Sequence, residues 1–318
     1  MKKVKKIISV LLIFTMLLPL CITANAAGIP EQPFPDSAFY EIGDYKIHYR
    51  LMPSETDEHN GRFVLLHGFL GSTISWEPLS ERLTLAGYDC LLVDLPNFGY
   101  STRENAEVEA IPREEIVASL MQEIAPGEKW YVAGHSMGTT VAMNIACQYP
   151  ELVEALLIFA GTSDTKNKFT NMPDSVLQAF GRFYNIMFKM VINLASSPVF
   201  GNRIMRNPVY DVNRDFETRL RYLEPLKSDN TGMGILFMRK RSTPLDFDAL
   251  KQLEMPVLLC VASDDAMVPN DSDNAIRLKN SLPDHTAYYI MPDSTHSLIE
   301  SKPDEIFAVT IDFITGNL

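Results

Sequence analysis

The chain has 318 residues, of which 46% are hydrophobic and 21% charged. That is enough apolar material for a large buried core, and one α/β domain of this size is ordinary. A formal charge of −12 argues against a general nucleic-acid binder, and no repeat period points to a solenoid or propeller.

The first 26 residues read apart from the rest. The basic MKKVKK precedes the uncharged run IISVLLIFTMLLPLCI, and TANAAG then supplies an A-x-A pattern at Ala24 and Ala26. Residues 1–26 are expected to be a secretory signal cut after Ala26, which makes the protein exported, either secreted or cell-surface. The alternative is an uncleaved N-terminal membrane anchor, although the run is short against the roughly 20 apolar residues of a span. Cys21 follows Leu20, a bulkier residue than a lipoprotein site normally carries there. Cys90, Cys147 and Cys260 remain after cleavage. Their number is odd and their surroundings apolar, so they read as small buried hydrophobes rather than a disulfide framework.

Next comes AFYEIGDYKIHYRL (38–51), two alternating runs about Gly43-Asp44, predicted to form an antiparallel hairpin at a sheet edge. Six short apolar runs follow: FVLLHG (63–68), CLLVDL (90–95), WYVAG (130–134), ALLIFAG (155–161), PVLLCVAS (256–263) and TAYYIM (286–291). Their near-continuous apolar character predicts strands buried on both faces. Helical patterns cover 78–86, 112–124, 137–148, 270–280 and 304–314. Strand–helix alternation predicts a mostly parallel sheet with helices on both faces.

Residues 162–245 break this rhythm. They lack a buried-strand run and are too long for a loop, so a helical insertion is expected there. The insertion holds 13 Lys and Arg against 7 Asp and Glu, a net of +6. The leader carries +4 and the remainder −22, so a basic helical segment sits on an acidic body. Phe180, Phe183, Tyr184, Met187, Phe188 and Met190 could line an apolar pocket, though most are expected to pack the insertion onto the body. Its arginines, among them Arg203, Arg206, Arg214, Arg219 and Arg221, leave open an anionic substrate or membrane surface, beside the simpler reading of a solvated face.

The chemistry starts at Gly134-His135-Ser136-Met137-Gly138, between a predicted strand and a predicted helix. A serine at such a turn projects its hydroxyl from the sheet edge, while the flanking glycines leave room for it. Alone, the motif equally suits a serine capping a helix. A reactive serine needs a base, and the chain has six histidines. His296, in MPDSTHSLIE after the last strand, is placed to reach the same sheet edge. The base needs an orienting carboxylate, and CVASDDAMVP ends another strand with Asp264 and Asp265. Either could serve, or the pair could be a solvated loop. Two backbone donors are expected for a developing oxyanion: the N–H of Phe69, after Gly68 in LLHGFLGSTISW, and that of Met137.

Together these pieces resemble the α/β-hydrolase fold superfamily. The matching segments are HGFLGS (67–72), DLPNFGYS (94–101), GHSMG (134–138), ASDDAMVP (262–269) and THSLIESKP (295–303), in the family's order. The resemblance implies a catalytic triad of Ser136, Asp265 and His296, because the family's acidic member stands four residues before the proline. It implies a core at 27–161 and 246–318, with a cap domain at 162–245. Asn97, Ala262 and Thr295 stand where the family often has glycine, which weakens assignment to a narrow subfamily.

Ser136 excludes the dehalogenases and epoxide hydrolases of the fold that use an aspartate nucleophile. The resulting expectation is a serine hydrolase of esterase or lipase type, cleaving a carboxylic ester, lipid ester, lactone or thioester with an apolar acyl part. No cofactor, metal or nucleic acid is expected, and membrane-surface association is left open. The alternatives are a ligand receptor on the same fold, or a C–C hydrolase or elimination enzyme using the same triad.

Overall fold

A computed structural model describes residues 30–163, 169–198, 201 and 216–318. The expected leader with its cleavage site at Ala26 lies outside the described residues, as do Arg203, Arg206 and Arg214.

Eight strands form one sheet: β1 (Ser37–Ile42), β2 (Tyr45–Met52), β3 (Gly61–Leu66), β4 (Tyr88–Val93), β5 (Trp130–His135), β6 (Val153–Phe159), β7 (Val257–Ala262) and β8 (Ala287–Met291). Their order is β1-β2-β4-β3-β5-β6-β7-β8. The predicted hairpin is the edge pair β1–β2, turning at Gly43 with φ 53, and β2 also runs antiparallel to β4. The remaining pairings are parallel. The reversal of strand order around β3 and β5 is the kind of switch point where the loops of an α/β sheet open a crevice.

The helices are α1 (Glu77–Leu85), α2 (Arg113–Ile124), α3 (Met137–Gln148), α4 (Asp174–Ala195), α5 (Phe216–Leu223), α6 (Thr231–Arg241), α7 (Phe247–Lys251), α8 (Asp273–Ser281), α9 (Leu298–Ser301) and α10 (Pro303–Ile314). Alternate strand residues feed two cores. Val64 and Leu66 of β3 pack with Ile116 of α2, Val141 of α3 and Leu278 of α8. Phe63 and Leu65 face the other way, onto Leu79 and Leu83 of α1 and Ile306 and Phe313 of α10. This two-sided burial is why the central strands read as continuous apolar runs. The edge strand β8 differs from that expectation: its exposure alternates, leaving Tyr288 and Ile290 exposed.

Between β6 and α7 the described residues hold α4, α5 and α6 and no strand. Two glycines bring α4 and α6 together. A Cβ on Gly181 would lie 2.8 Å from Met233 Cγ, and one on Gly232 would lie 2.7 Å from Asn185 Cα. Arg103, buried in the loop after β4, ties these helices to the sheet. Its guanidinium donates to the carbonyls of Phe98, Ser101 and Gly99 below, and to Pro225 O and Thr231 Oγ1 above. Burial lowers its pKa to about 10, which keeps it cationic at neutral pH.

Candidate active site

Ser136 stands between the last residue of β5 and the first of α3, with φ 50 and ψ −115. That strained conformation for a residue with a side chain is what turns the serine out of the sheet. Both flanking glycines are sterically required. A Cβ on Gly138 would come within 2.2 Å of Leu66 O, and one on Gly134 within 2.6 Å of Gly138 O. Ser136 N–H donates to Phe159 O at 3.0 Å, pinning the turn to β6. The serine side chain makes no capping bond to α3. Its Oγ lies instead 2.8 Å from His296 Nε2.

The structure brings the three expected side chains together from three strand ends. His296 Nδ1 is 2.7 Å from Asp265 Oδ2, and Asp265 Oδ1 accepts the N–H groups of Met267 (2.8 Å) and Val268 (2.9 Å). Burial raises the Asp265 carboxyl, but the His296 bond and charge and these two amides outweigh it, leaving its pKa below the ordinary value. Asp264 is exposed and bonds Ser263 Oγ at 2.7 Å. The alternative left open between the two aspartates is therefore resolved geometrically in favour of Asp265. An ionised carboxylate accepting from Nδ1–H leaves Nε2 as the acceptor facing the serine hydroxyl, the arrangement that removes its proton.

Phe69 and Met137 both adjoin the serine. Gly68 and Phe69 follow β3 and line the same cavity as Ser136. Met137 is the first residue of α3, where helix N–H groups lack intrahelical partners. A Cβ on Gly68 would sit 2.9 Å from His135 Nδ1 and 3.2 Å from Ser136 Cβ, so glycine is what lets this turn approach Ser136.

Two histidines that pattern reasoning left inside turn motifs have positioning contacts. His67 donates from Nδ1 to Gly68 O at 2.7 Å and accepts Leu95 N–H on Nε2 at 3.0 Å, tying the Phe69 turn to the end of β4. His135 donates from Nε2 to the carbonyl of His296 at 2.7 Å. Burial, with repulsion from His296, lowers its pKa to about 3 and keeps it neutral. Asp94 is buried at the end of β4 and accepts Thr73 N–H, Tyr100 N–H and His48 Nδ1. His48 Nε2 is in turn 2.7 Å from Ser37 Oγ. This second Ser–His–Asp chain lines no part of the Ser136 cavity and fastens the edge hairpin to the loop after β4.

The Asn97 departure has a physical reason. Asn97 has φ 80, a conformation asparagine tolerates better than most residues, and its side chain bonds Glu104 through both ends. A Cβ on Gly234 of α6 would lie 2.4 Å from Asn97 Oδ1. The side chain at 97 thus occupies space that α6 yields.

Above Ser136 lies a cavity of about 280 Å³. Its walls are mainly apolar, from Phe69, Leu70, Phe188, Val191, Ile192, Leu223 and Leu226, with Arg219, Tyr222 and Glu300 adding polar groups. Of the six side chains considered for an acyl pocket, Phe188 lines it. Phe180 and Phe183 point to solvent, while Tyr184 and Phe188 also pack near Phe98. The three cysteines are free. Burial pushes the Cys147 thiol up to about 11 and Cys260 to about 12, which leaves them inert.

A strained serine turn at a strand end on this sheet order, facing an apolar cavity beneath helices inserted after β6, defines the α/β-hydrolase class of enzyme. The chain belongs to the α/β hydrolase fold family, which matches residues 61–303. It is 26% identical over 276 residues to the uncharacterized hydrolase YugF of Bacillus subtilis, covering 86% of this chain and 94% of that protein. It is 27% identical over 254 residues to the pimeloyl-[acyl-carrier protein] methyl ester esterase of Vibrio parahaemolyticus, covering 79% and 92%. Among solved structures, a bacterial membrane phospholipase A superposes with a TM-score of 0.65 at 20% identity, covering 100% of this chain and 99% of that one.

Proposed function

We propose that the protein is an exported serine hydrolase that cleaves an ester-type substrate with an apolar acyl part through an acyl-enzyme on Ser136. The observation that carries this reading is the continuous Asp265–His296–Ser136 hydrogen-bond chain, at 2.7 and 2.8 Å, opening on an apolar cavity. Likeness to a methyl ester esterase supports an ester substrate. The basic, apolar and A-x-A segments of residues 1–26 support export.

In this mechanism His296 Nε2 takes the Ser136 hydroxyl proton as Oγ attacks the ester carbonyl. The N–H groups of Phe69 and Met137 hold the oxyanion, each contributing on the order of 3 kcal/mol to the transition state. The imidazolium, steadied by Asp265, gives its proton to the departing alkoxide, which leaves as an alcohol. Water then loses a proton to His296 and attacks the acyl-enzyme. Ser136 recovers its proton and the carboxylic acid departs. Leu223, Leu226 and Ile192 are suited to shield the acyl chain. Hydrolysis of p-nitrophenyl esters of increasing chain length tests the reading: activity should require Ser136, and Ser136→Ala should remove it. Absence of hydrolysis by the intact protein across the series would leave a ligand-binding role in its place.

A further inference from the structure

Helix α4 has two faces. Leu177, Gly181, Ile192 and Ala195 are buried. On the adjoining face Val176, Phe180, Phe183, Ile186, Val191 and Leu194 are 39–62% exposed. With half-buried Met187, most of these follow at three- and four-residue steps, forming one stripe along the 22-residue helix. Six of the 13 exposed large apolar side chains among the described residues stand on this helix, which is a patch rather than scatter.

We infer that this stripe docks α4 flat on an anionic lipid bilayer and that acyl esters enter the Ser136 cavity from that surface. The inference rests on the proposed esterase reading and adds where the substrate comes from. Continuity is the first reason. Val191 belongs to the stripe and also lines the cavity, as do Phe188, Ile192 and Ala195 of the same helix. An acyl chain can therefore pass from the stripe to the nucleophile along one apolar wall. Charge is the second. The described residues of 162–245 hold eight Lys and Arg against four Asp and Glu, a net of +4, against −22 for the rest of the chain beyond the leader. An anionic surface attracts this side and repels the other, which orients the molecule with α4 down. Arg182, exposed, and Lys189, ion-paired with Asp229, flank the stripe on one side. A second copy docking through the same face would oppose two segments of like positive charge, which disfavours that occupant. Third, an apolar face flanked by basic residues is the pattern of helices that lie in the headgroup plane. No helix among the described residues is long and apolar enough to cross a membrane, so α4 would lie on the surface.

The test uses Phe183→Trp in the chain beginning at Ala27, so that the apolar run of residues 1–26 cannot itself bind vesicles, with Leu85→Trp at an exposed position of α1 as its counterpart. The native Trp76 and Trp130 are fully buried and supply a constant background. With vesicles of phosphatidylglycerol and phosphatidylcholine bearing brominated acyl chains, Trp emission from the Phe183→Trp protein should shift to the blue and be quenched. Emission from the Leu85→Trp protein should not change. In parallel, the triple variant Phe180→Ser, Phe183→Ser, Ile186→Ser should lose about tenfold in hydrolysis of a vesicle-borne long-chain ester. It should keep hydrolysis of a soluble short ester within about twofold, since none of the three lines the cavity. No quenching at position 183 overturns the inference. So does equal quenching at 183 and 85, which means adsorption without orientation. A blue shift that grows with protein concentration in the absence of vesicles assigns the stripe to a second copy, which also overturns it. If the esterase reading fails instead, soluble-ester hydrolysis is absent from the unmodified chain while the quenching arm still reports on docking.

Discussion

His135 holds the backbone of His296: its Nε2 donates to the His296 carbonyl at 2.7 Å, so the residue before Ser136 fixes the residue whose imidazole lies 2.8 Å from the serine hydroxyl. On the proposed mechanism His135 is a positioning residue, since it contacts neither Ser136 Oγ nor Asp265 in the hydrogen-bond chain. His135→Phe should lower kcat about 10- to 100-fold while leaving KM nearly unchanged, because small displacements of a base are costly. Steady-state kinetics on a soluble ester checks the split. A raised KM with normal kcat would show that the histidine shapes the cavity instead.

The same histidine couples stability to pH. Its folded-state pKa is lowered to about 3 from 6.5. Between those values the unfolded chain binds the proton and the folded protein does not, so stability falls as pH drops through that window. Above pH 6.5 the group contributes no pH dependence. Unfolding at pH 5 should therefore take up about one proton more in the native protein than in His135→Gln. Calorimetry in buffers of differing ionisation enthalpy measures that difference. Equal uptake would mean the imidazole is protonated in the fold.

The two neighbouring aspartates should separate cleanly. Asp265 bonds His296 and is buried, whereas Asp264 is exposed and bonds only its neighbour Ser263 by side chain. Asp265→Asn should cut kcat by on the order of 10⁴-fold, through the wrong imidazole tautomer. Asp264→Asn should leave kcat within about twofold. The reverse ranking would exchange their roles.

Arg103 should be worth more to the helices above the site than any single apolar contact. Its bonds span the loop after β4, Pro225 and Thr231. Arg103→Ala strands several carbonyls in a buried place, at a cost on the order of 3 kcal/mol. Limited proteolysis should then cut within the segment between β6 and β7 before the sheet unfolds. Simultaneous loss of both would show that the segment has no stability separate from the sheet.

The readable parts of this chain are those whose signal is local. Buried strands announce themselves as apolar runs, and the turn around Ser136 by its glycines. The Asp264-Asp265 pair and His296 follow because parallel strands deliver their C-terminal loops to one edge, while the choice of Asp265 came from the family resemblance. The unreadable parts depend on partners far away in sequence. Arg103 and Glu104 look like surface charges until Thr231, Arg113 and Tyr45 are seen beside them. The fit of Gly234 against Asn97 pairs residues with no sequence signal in common. Helix α4 carries more apolar and aromatic residues than one buried face needs, and only burial tells which of them it hides.

The central claim is that Ser136 is a nucleophile activated by His296. Labelling with a fluorophosphonate, followed by peptide mapping, tests it most directly. One equivalent of label on Ser136 is predicted, with none in Ser136→Ala and strongly slowed labelling in His296→Ala. Labelling elsewhere, or undiminished labelling of Ser136→Ala, would contradict the account.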